Sequence, residues 1–358
     1  MRARNLHGRL APPTLVSPSA PSYRPAWWIP GGHLRTLWGR FLRRRPRIAT
    51  RQERWATSDG DFLDLVRLDA PPDRPRLIIL HGLEGSARSH YAVGLMAHAH
   101  QRRWAADVMV FRSCGEQPNR LLRSYHSGAT GDLAFVVQRL VSAEPDRPLL
   151  IAGVSLGGNV LLKWLGECGD AVPRQVVAAA AVSVPFDLAR GSRRIGRGFS
   201  RVYQAYFLRT LRRKAVAKQR RFPDELDPHA IARARTLWAF DDVVTAPVHR
   251  FRDARDYYEQ SSSLRWMAGI RVPTLLLSAR DDPFLPADVL DEVAAIARRN
   301  PALHTEFVNK GGHVGFIAGT IPWHPTYYAE QRVTGFLQEQ LPGAHRQPLP
   351  AAFAAHPR

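Results

Sequence analysis

Short apolar runs alternate with longer amphipathic ones over most of the chain. Residues 51–57 and 62–68, on either side of Ser58-Asp59-Gly60-Asp61, predict a β-hairpin. Residues 76–80, 105–111, 148–153, 175–184, 272–278 and 304–309 are short and mostly rich in aliphatic residues, so each predicts a strand, the last closing the series. Helical spacing marks 133–141, the stretch from Val160 to Trp164, and 326–341. Strands alternating with helices predict an α/β fold, a mostly parallel central sheet flanked by helices. From Pro185 to about Gly269 the pattern becomes basic and helical, as in 200–218, which predicts a helical insertion between two late strands. Near the start, Trp27, Trp28, Ile29, Leu34, Leu37, Trp38, Phe41 and Leu42 interleave with Arg35, Arg40 and Arg43 to Arg45. That segment reads as a strap packed across the core, or as one that sits at a membrane interface.

One apolar run has a particular ending. Leu149 to Ala152 stops at Gly153-Val154-Ser155-Leu156-Gly157, and an apolar helical pattern starts at once. Strand, sharp turn and helix around G-x-S-x-G push a serine hydroxyl out at a helix N-terminus, so Ser155 is the candidate nucleophile. About seventy residues upstream, the 76–80 strand ends in His81-Gly82-Leu83-Glu84-Gly85. An acyl-transfer intermediate needs two N–H donors for its oxyanion, and the amides of Leu83 and Leu156 are the candidates. Two late strands run into Asp281-Asp282-Pro283 and Gly311-Gly312-His313. The order Ser155, Asp282, His313, each just past a predicted strand, is that of a nucleophile, an acid and a general base. Asp281 and Asp187 are the alternative acids, and turn or helix capping is the structural role such aspartates otherwise play.

Charge adds a second theme. The 358 residues carry a net +20, which suggests attraction to anionic surfaces, while a solvated arginine-rich face would give the same number. No zinc-finger spacing or RNA-binding signature turns up, so nucleic acid is not expected as a partner. Cys114 and Cys168 stand alone without a CxxC, which fits a reducing, cytoplasmic compartment and argues against thiolate metal sites. The first residues lack the apolar core of a secretory signal, and the longest apolar stretch, 176–184, is too short to span a bilayer. No phosphate loop or metal-ligand cluster is visible, so no cofactor and no metal are expected.

The blocks WWIPGGHLRTLW, LHGLEGSARSHY, FRSCGEQPNRLLRSYHSG, GVSLGGNVLLKWLGE, FDDVVTAPVHRFRDARDYY, VPTLLLSARDDPF and GGHVGF resemble AB hydrolase family 4, the YheT-like predicted esterases of the α/β-hydrolase superfamily. The resemblance runs from about Trp27 to Leu341. It implies the α/β-hydrolase fold and a carboxylic-ester hydrolase with a Ser-Asp-His relay on Ser155, Asp282 and His313. It also implies short-chain esters, monoacylglycerols or phospholipids as substrate classes. The chain departs from the family at Ser113, where Arg-Gly-Cys is usual, and at Arg250, where His-Gly-Phe is usual.

The expected organisation is a disordered segment at 1–25, a core at 26–184 and 270–342, a helical cap at 185–269 and a disordered tail at 343–358. The expected activity is that of a serine esterase on a small-molecule ester or lipid, with peripheral contact to anionic membrane through the basic N-terminal and cap segments. An acyltransferase using the same triad and a non-catalytic membrane-surface protein are the rival readings.

Overall fold

A computed structural model describes residues 22–343; residues 1–21 and 344–358, which include most of the two segments expected to be disordered, lie outside the described residues. Eight strands form one sheet in the order β1-β2-β4-β3-β5-β6-β7-β8. They are β1 (Arg51–Ala56), β2 (Phe62–Leu68), β3 (Arg76–Leu80), β4 (Ala105–Val110), β5 (Leu149–Val154), β6 (Val176–Val182), β7 (Thr274–Ala279) and β8 (Leu303–Val308). Pairs β1·β2 and β2·β4 are antiparallel, and the other five are parallel.

The sheet is covered on both faces, which is why its central strands read as unbroken apolar runs. In β3, Ile78 and Leu80 join a core with α3 (Gly131–Ala143), α4 (Leu156–Cys168) and α11 (Asp288–Ala297). Leu77 and Ile79 join the opposite core, with α2 (His90–Gln101) and α12 (Tyr328–Glu339). Among the charged residues buried in strands, Asp107 in β4 is fully enclosed, and the buried Arg67 and Arg76 donate to it from both neighbouring strands, so its charge is matched where it is buried.

Three features differ from the sequence reading. Helices α2 and α11 were not expected. Gly94 and three histidines break up the apolar signal of α2, and α11 shows only the short cluster Val289, Leu290 and Val293. Strand β8 is not the last, because Ile317–Ala318 and Thr326–Tyr327 form a two-stranded ladder ahead of α12. The ordered strap also begins before residue 26: Pro25 bridges to Ala318, and the Tyr23 ring packs 4.9 Å from that of Tyr328. These contacts hold residues with little apolar patterning of their own.

The strap continues into α1 (Gly31–Phe41). Between β6 and β7 run α5 (Leu188–Ile195), α6 (Arg201–Arg221), α7 (Pro228–Arg233), α8 (Leu237–Phe240), a π-helical turn (Asp241–Thr245), α9 (Ala246–Val248) and α10 (Ala254–Ser261). Leu208, Leu226, Ile231 and Phe240 form a small core of their own within this insertion. Among the described residues no helix is long and apolar enough to cross a membrane.

Both departures from the family pattern fall where the backbone is left-handed, with φ of 67° at Ser113 and 62° at Arg250. Glycine adopts this region freely and other residues do so at a cost of about 1–2 kcal/mol, so the chain keeps the path of a glycine and carries the strain. Arg250→Gly is therefore expected to raise stability by about 0.5–1 kcal/mol, read as an increased urea midpoint at constant slope. Unchanged or lowered stability would mean that the Arg250 side chain makes up for its backbone.

Candidate active site

The parallel pairing of β3 with β5 sets Leu80 beside Gly153, so the loop after β3 and the turn after β5 leave the sheet side by side. Ser155 stands between β5 and α4 with φ 55° and ψ −121°, a conformation side chains rarely occupy. The close approach around it admits only glycine. A Cβ on Gly153 would lie 2.5 Å from Gly157 O, and one on Gly157 would lie 2.5 Å from Leu80 O. Asn159, one turn into α4, is fully buried and binds Ser127 O, Ser261 O and Ser263 N, tying the elbow helix to the end of the insertion.

Of the sequence candidates, the structure brings Ser155, His313 and Asp282 together. His313 Nε2 lies 2.9 Å from Ser155 Oγ, and His313 Nδ1 lies 2.8 Å from Asp282 Oδ2. With Nδ1 donating to the carboxylate, Nε2 is left to accept a proton from the serine. The other carboxylate oxygen of Asp282 accepts from Phe284 N at 2.7 Å, and both His313 and Asp282 are buried. The alternative acids have other tasks: Asp187 caps α5 by accepting from Arg190 N, and Asp281 faces the histidine loop instead of the ring.

That loop is held in an unusual way, by side chains that take four successive amides. Asp281 Oδ1 accepts from Gly311 N at 2.7 Å and Gly312 N at 2.8 Å, Thr36 Oγ1 from His313 N at 2.9 Å, and Ser183 Oγ from Val314 N at 3.0 Å. Thr36 in turn donates to Gly32 O, and Arg35 pairs with Asp281 at 3.4 Å, so α1 backs the clamp. The loop needs it, since Gly312, Val314 and Phe316 all have positive φ, of 64°, 61° and 42°. Four such bonds at about 0.5–1.5 kcal/mol each offset the two non-glycine left-handed residues at about 1–2 kcal/mol each. Sequence reasoning missed Thr36 and Ser183, which lie 277 and 131 residues from their partners. The only sign of Thr36 was its place in the shared block WWIPGGHLRTLW.

Leu83 and Leu156 line the same cavity as Ser155 and His313. Leu156 opens α4, where amides lack intrahelical acceptors, and the amides on either side of Leu83 are taken by tyrosines. Gly82 N donates to Tyr91 OH and Glu84 N to Tyr125 OH, each at 2.8 Å. Lys214 of α6 reaches down to Glu84 at 2.7 Å, linking the insertion to this loop. His81 is structural. Fully buried, it accepts from Phe111 N at Nε2 and contacts Gly82 O at Nδ1, and burial drives its pKa down to about 4.

The cavity has a volume of about 130 Å³ and is mostly apolar, with Leu188, Ile195, Phe207, Leu211, Leu237 and Phe240 contributed by the insertion. Its polar spots include Ser192, Asp241, Thr245 and His126. Burial pushes the Asp241 carboxyl up to about 6, against hydrogen bonds from Thr245 and Tyr258 at 2.6 Å each. Burial, helped by the neighbouring His249, holds His126 well below the usual histidine range, so it is neutral at pH 7. Among the described residues no group of three or more His, Cys, Asp or Glu could hold a metal ion.

Fold and site together define an α/β hydrolase: the family described as alpha/beta hydrolase fold matches residues 75–320, and the chain belongs to it. Within that family it is YheT-like, being 39% identical over 315 residues to the YheT protein of Escherichia coli (strain K12), across 86% of this chain and 91% of that one. It is also 30% identical over 317 residues to phospholipase ABHD3 of Mus musculus, covering 86% of this chain and 76% of the relative. Among solved structures, an esterase of Pyrococcus furiosus, Pf2001, superposes with a TM-score of 0.54 at 17% identity, covering 82% and 93% of the two chains, which bears on the fold alone. The protein is an ester-hydrolysing enzyme of the esterase and lipase type.

Two predictions follow from this geometry. Thr36→Val, which removes the acceptor of the His313 amide, is expected to lower kcat by about tenfold or more with KM within about twofold, while Thr36→Ser restores it. Equal losses in both variants, in step with their melting temperatures, would reduce Thr36 to a packing residue. The second concerns Asp241, whose folded pKa lies above its unfolded value. Its share of stability is present below about pH 4 and is lost as pH rises through about 6. Between those limits the wild type should lose on the order of 2–3 kcal/mol relative to Asp241→Asn, read from urea unfolding at each pH. Parallel curves for the two proteins would contradict this.

Proposed function

We propose that the chain is a serine carboxylic-ester hydrolase working through an acyl-enzyme on Ser155, as a short-chain carboxylesterase or a monoacylglycerol lipase-like enzyme. The observation that carries this reading is the unbroken relay from Ser155 Oγ through His313 to Asp282, with contacts of 2.9 and 2.8 Å. In this mechanism Ser155 Oγ attacks the ester carbonyl carbon as its proton passes to His313 Nε2. The carbonyl oxygen takes the negative charge and is held by the amides of Leu83 and Leu156. The C–O bond to the alcohol breaks, and His313 returns its proton to the leaving oxygen. Water then attacks the acyl-enzyme with His313 again as base, freeing the carboxylic acid and Ser155. Asp282 stays ionised throughout, fixing the imidazole and offsetting its transient charge.

In the same reading residues 185–269 act as a cap over the core formed by 26–184 and 270–342. Its apolar residues hold the acyl chain and keep water from the reacting carbonyl. The unpaired Cys114 and Cys168 support a reducing, cytoplasmic setting, and the basic N-terminal and cap segments support peripheral contact with anionic membrane.

The test is a panel of p-nitrophenyl esters and monoacylglycerols of increasing chain length, assayed with wild type and Ser155→Ala. Turnover is expected for the wild type, with at least about a thousandfold loss in the variant and loss of fluorophosphonate labelling. Labelling that persists in Ser155→Ala would remove Ser155 as nucleophile. Acyl transfer to an added alcohol in preference to water would make the enzyme a transferase.

A further inference from the structure

Two stretches of the chain contain no acidic residue at all. Residues 22–52 hold eight arginines, and residues 188–223 hold twelve arginines and lysines, with no aspartate or glutamate in either. More than a hundred residues apart in sequence, they meet in space. His33 of α1 packs edge-on to Phe199 at 4.8 Å and stacks on Tyr203 at 5.8 Å, and Arg40 donates to Tyr206 OH.

The same two stretches carry nearly all the exposed apolar bulk. Of the eight large hydrophobic side chains exposed among the described residues, seven lie on these stretches: Trp27, Leu34, Phe41 and Leu42 on one, Phe199, Val202 and Tyr206 on the other. Arg40, Arg44, Arg45, Arg194, Arg201 and Arg209 are exposed on the same two stretches, without a carboxylate partner among the described residues. A line of rings leads inward from this face. Phe199 lies 6.0 Å from Tyr203, Tyr203 4.9 Å from Phe284, and Phe284 4.2 Å from His313. Phe207, on the next turn of α6, lines the catalytic cavity together with Phe284.

Each simpler occupant explains half of this. A solvated face accounts for the arginines and leaves Phe41 at 70% and Val202 at 57% exposure without a reason. Nucleic acid would engage the arginines and aromatics, but has no use for Leu34, Leu42 and Val202. A second copy of the chain would bring one +20 protein against another through their most basic surfaces. An anionic bilayer satisfies both halves, because aliphatic and aromatic groups enter the headgroup boundary while guanidinium groups bind lipid phosphates.

We infer that the seam between α1 and the N-terminal half of α6 is a docking face for an anionic lipid bilayer, placed so that a lipid ester leaving the membrane meets the cavity mouth at Phe284. Delivery of substrate rests on the ester-hydrolase reading above; docking itself does not. The face is built from two helices with separate tasks beneath it, since the inner side of α1 holds the histidine loop and α6 reaches Glu84 beside Leu83.

The experiment is co-sedimentation of the full chain with vesicles of phosphatidylcholine alone and of phosphatidylcholine with about one-third phosphatidylglycerol, at low and high salt. Wild type is expected to bind the anionic vesicles at least about tenfold more tightly, and to lose that preference as salt rises. Phe41→Asp combined with Val202→Asp should cut binding at least about tenfold. Arg40→Gln, Arg201→Gln and Arg209→Gln together should cut it about a hundredfold and provide a second variant should the first fail to fold. Hydrolysis of a soluble short-chain ester should stay within about twofold in both. Variants that partition like wild type, equal binding to neutral vesicles, a dimer in light scattering that the same substitutions dissociate, or displacement from the vesicles by duplex DNA would each overturn the docking face. Failure of the hydrolase reading looks different, as vesicle binding without Ser155-dependent turnover.

Discussion

Ser155 and His313 meet only because the backbone around both is held in conformations it would not keep unaided. The serine has φ 55°, and the loop around the histidine turns left-handed at Gly312, Val314 and Phe316. Two different devices hold them. At the serine, close packing does it, since Gly153 and Gly157 leave no room for the turn to relax. At the histidine, hydrogen bonds do it, with Asp281, Thr36 and Ser183 taking four successive amides. Much of the remaining architecture supplies these contacts: β3 and β5 in register, Ser183 just past the end of β6, Asp281 and Asp282 just past the end of β7, and α1 laid across the loop.

The pair Asp281 and Asp282 shows how neighbouring identical residues divide work. Side chains of successive residues leave the backbone in different directions. Asp282 aims its carboxylate at His313 Nδ1, while Asp281 aims at the amides of Gly311 and Gly312 and at Arg35. One orients the ring and the other orients the loop that carries it. A carboxylate accepting two backbone N–H bonds is well suited to the second task, because charge-assisted bonds are the stronger kind.

The insertion adds to the site from above. Six apolar side chains from α5, α6 and α8 close the cavity over Ser155, and Lys214 connects α6 to Glu84 beside Leu83. Movement of α6 would therefore be felt at the loop after β3. Burial holds His126 neutral at pH 7 and raises the Asp241 carboxyl to about 6, so both groups carry their charge less readily in this apolar cavity than they would in water.

The local patterns were legible because local physics makes them. Buried parallel strands require unbroken apolar runs, the elbow requires glycines at fixed offsets around Ser155, and strand ends mark where Asp282 and His313 emerge. Helices α2 and α11 escaped notice because their apolar stripes are short or interrupted, and packing on the sheet makes up for the weak pattern. The clamp on the histidine loop could not be read at all: Thr36 and His313 are 277 residues apart, and nothing in either neighbourhood says they touch. The basic, apolar seam is of the same kind. Each arginine-rich stretch was visible along the chain, but only the packing of α1 against α6 made them one surface, because hydrogen bonds and ring contacts between distant segments belong to the tertiary fold.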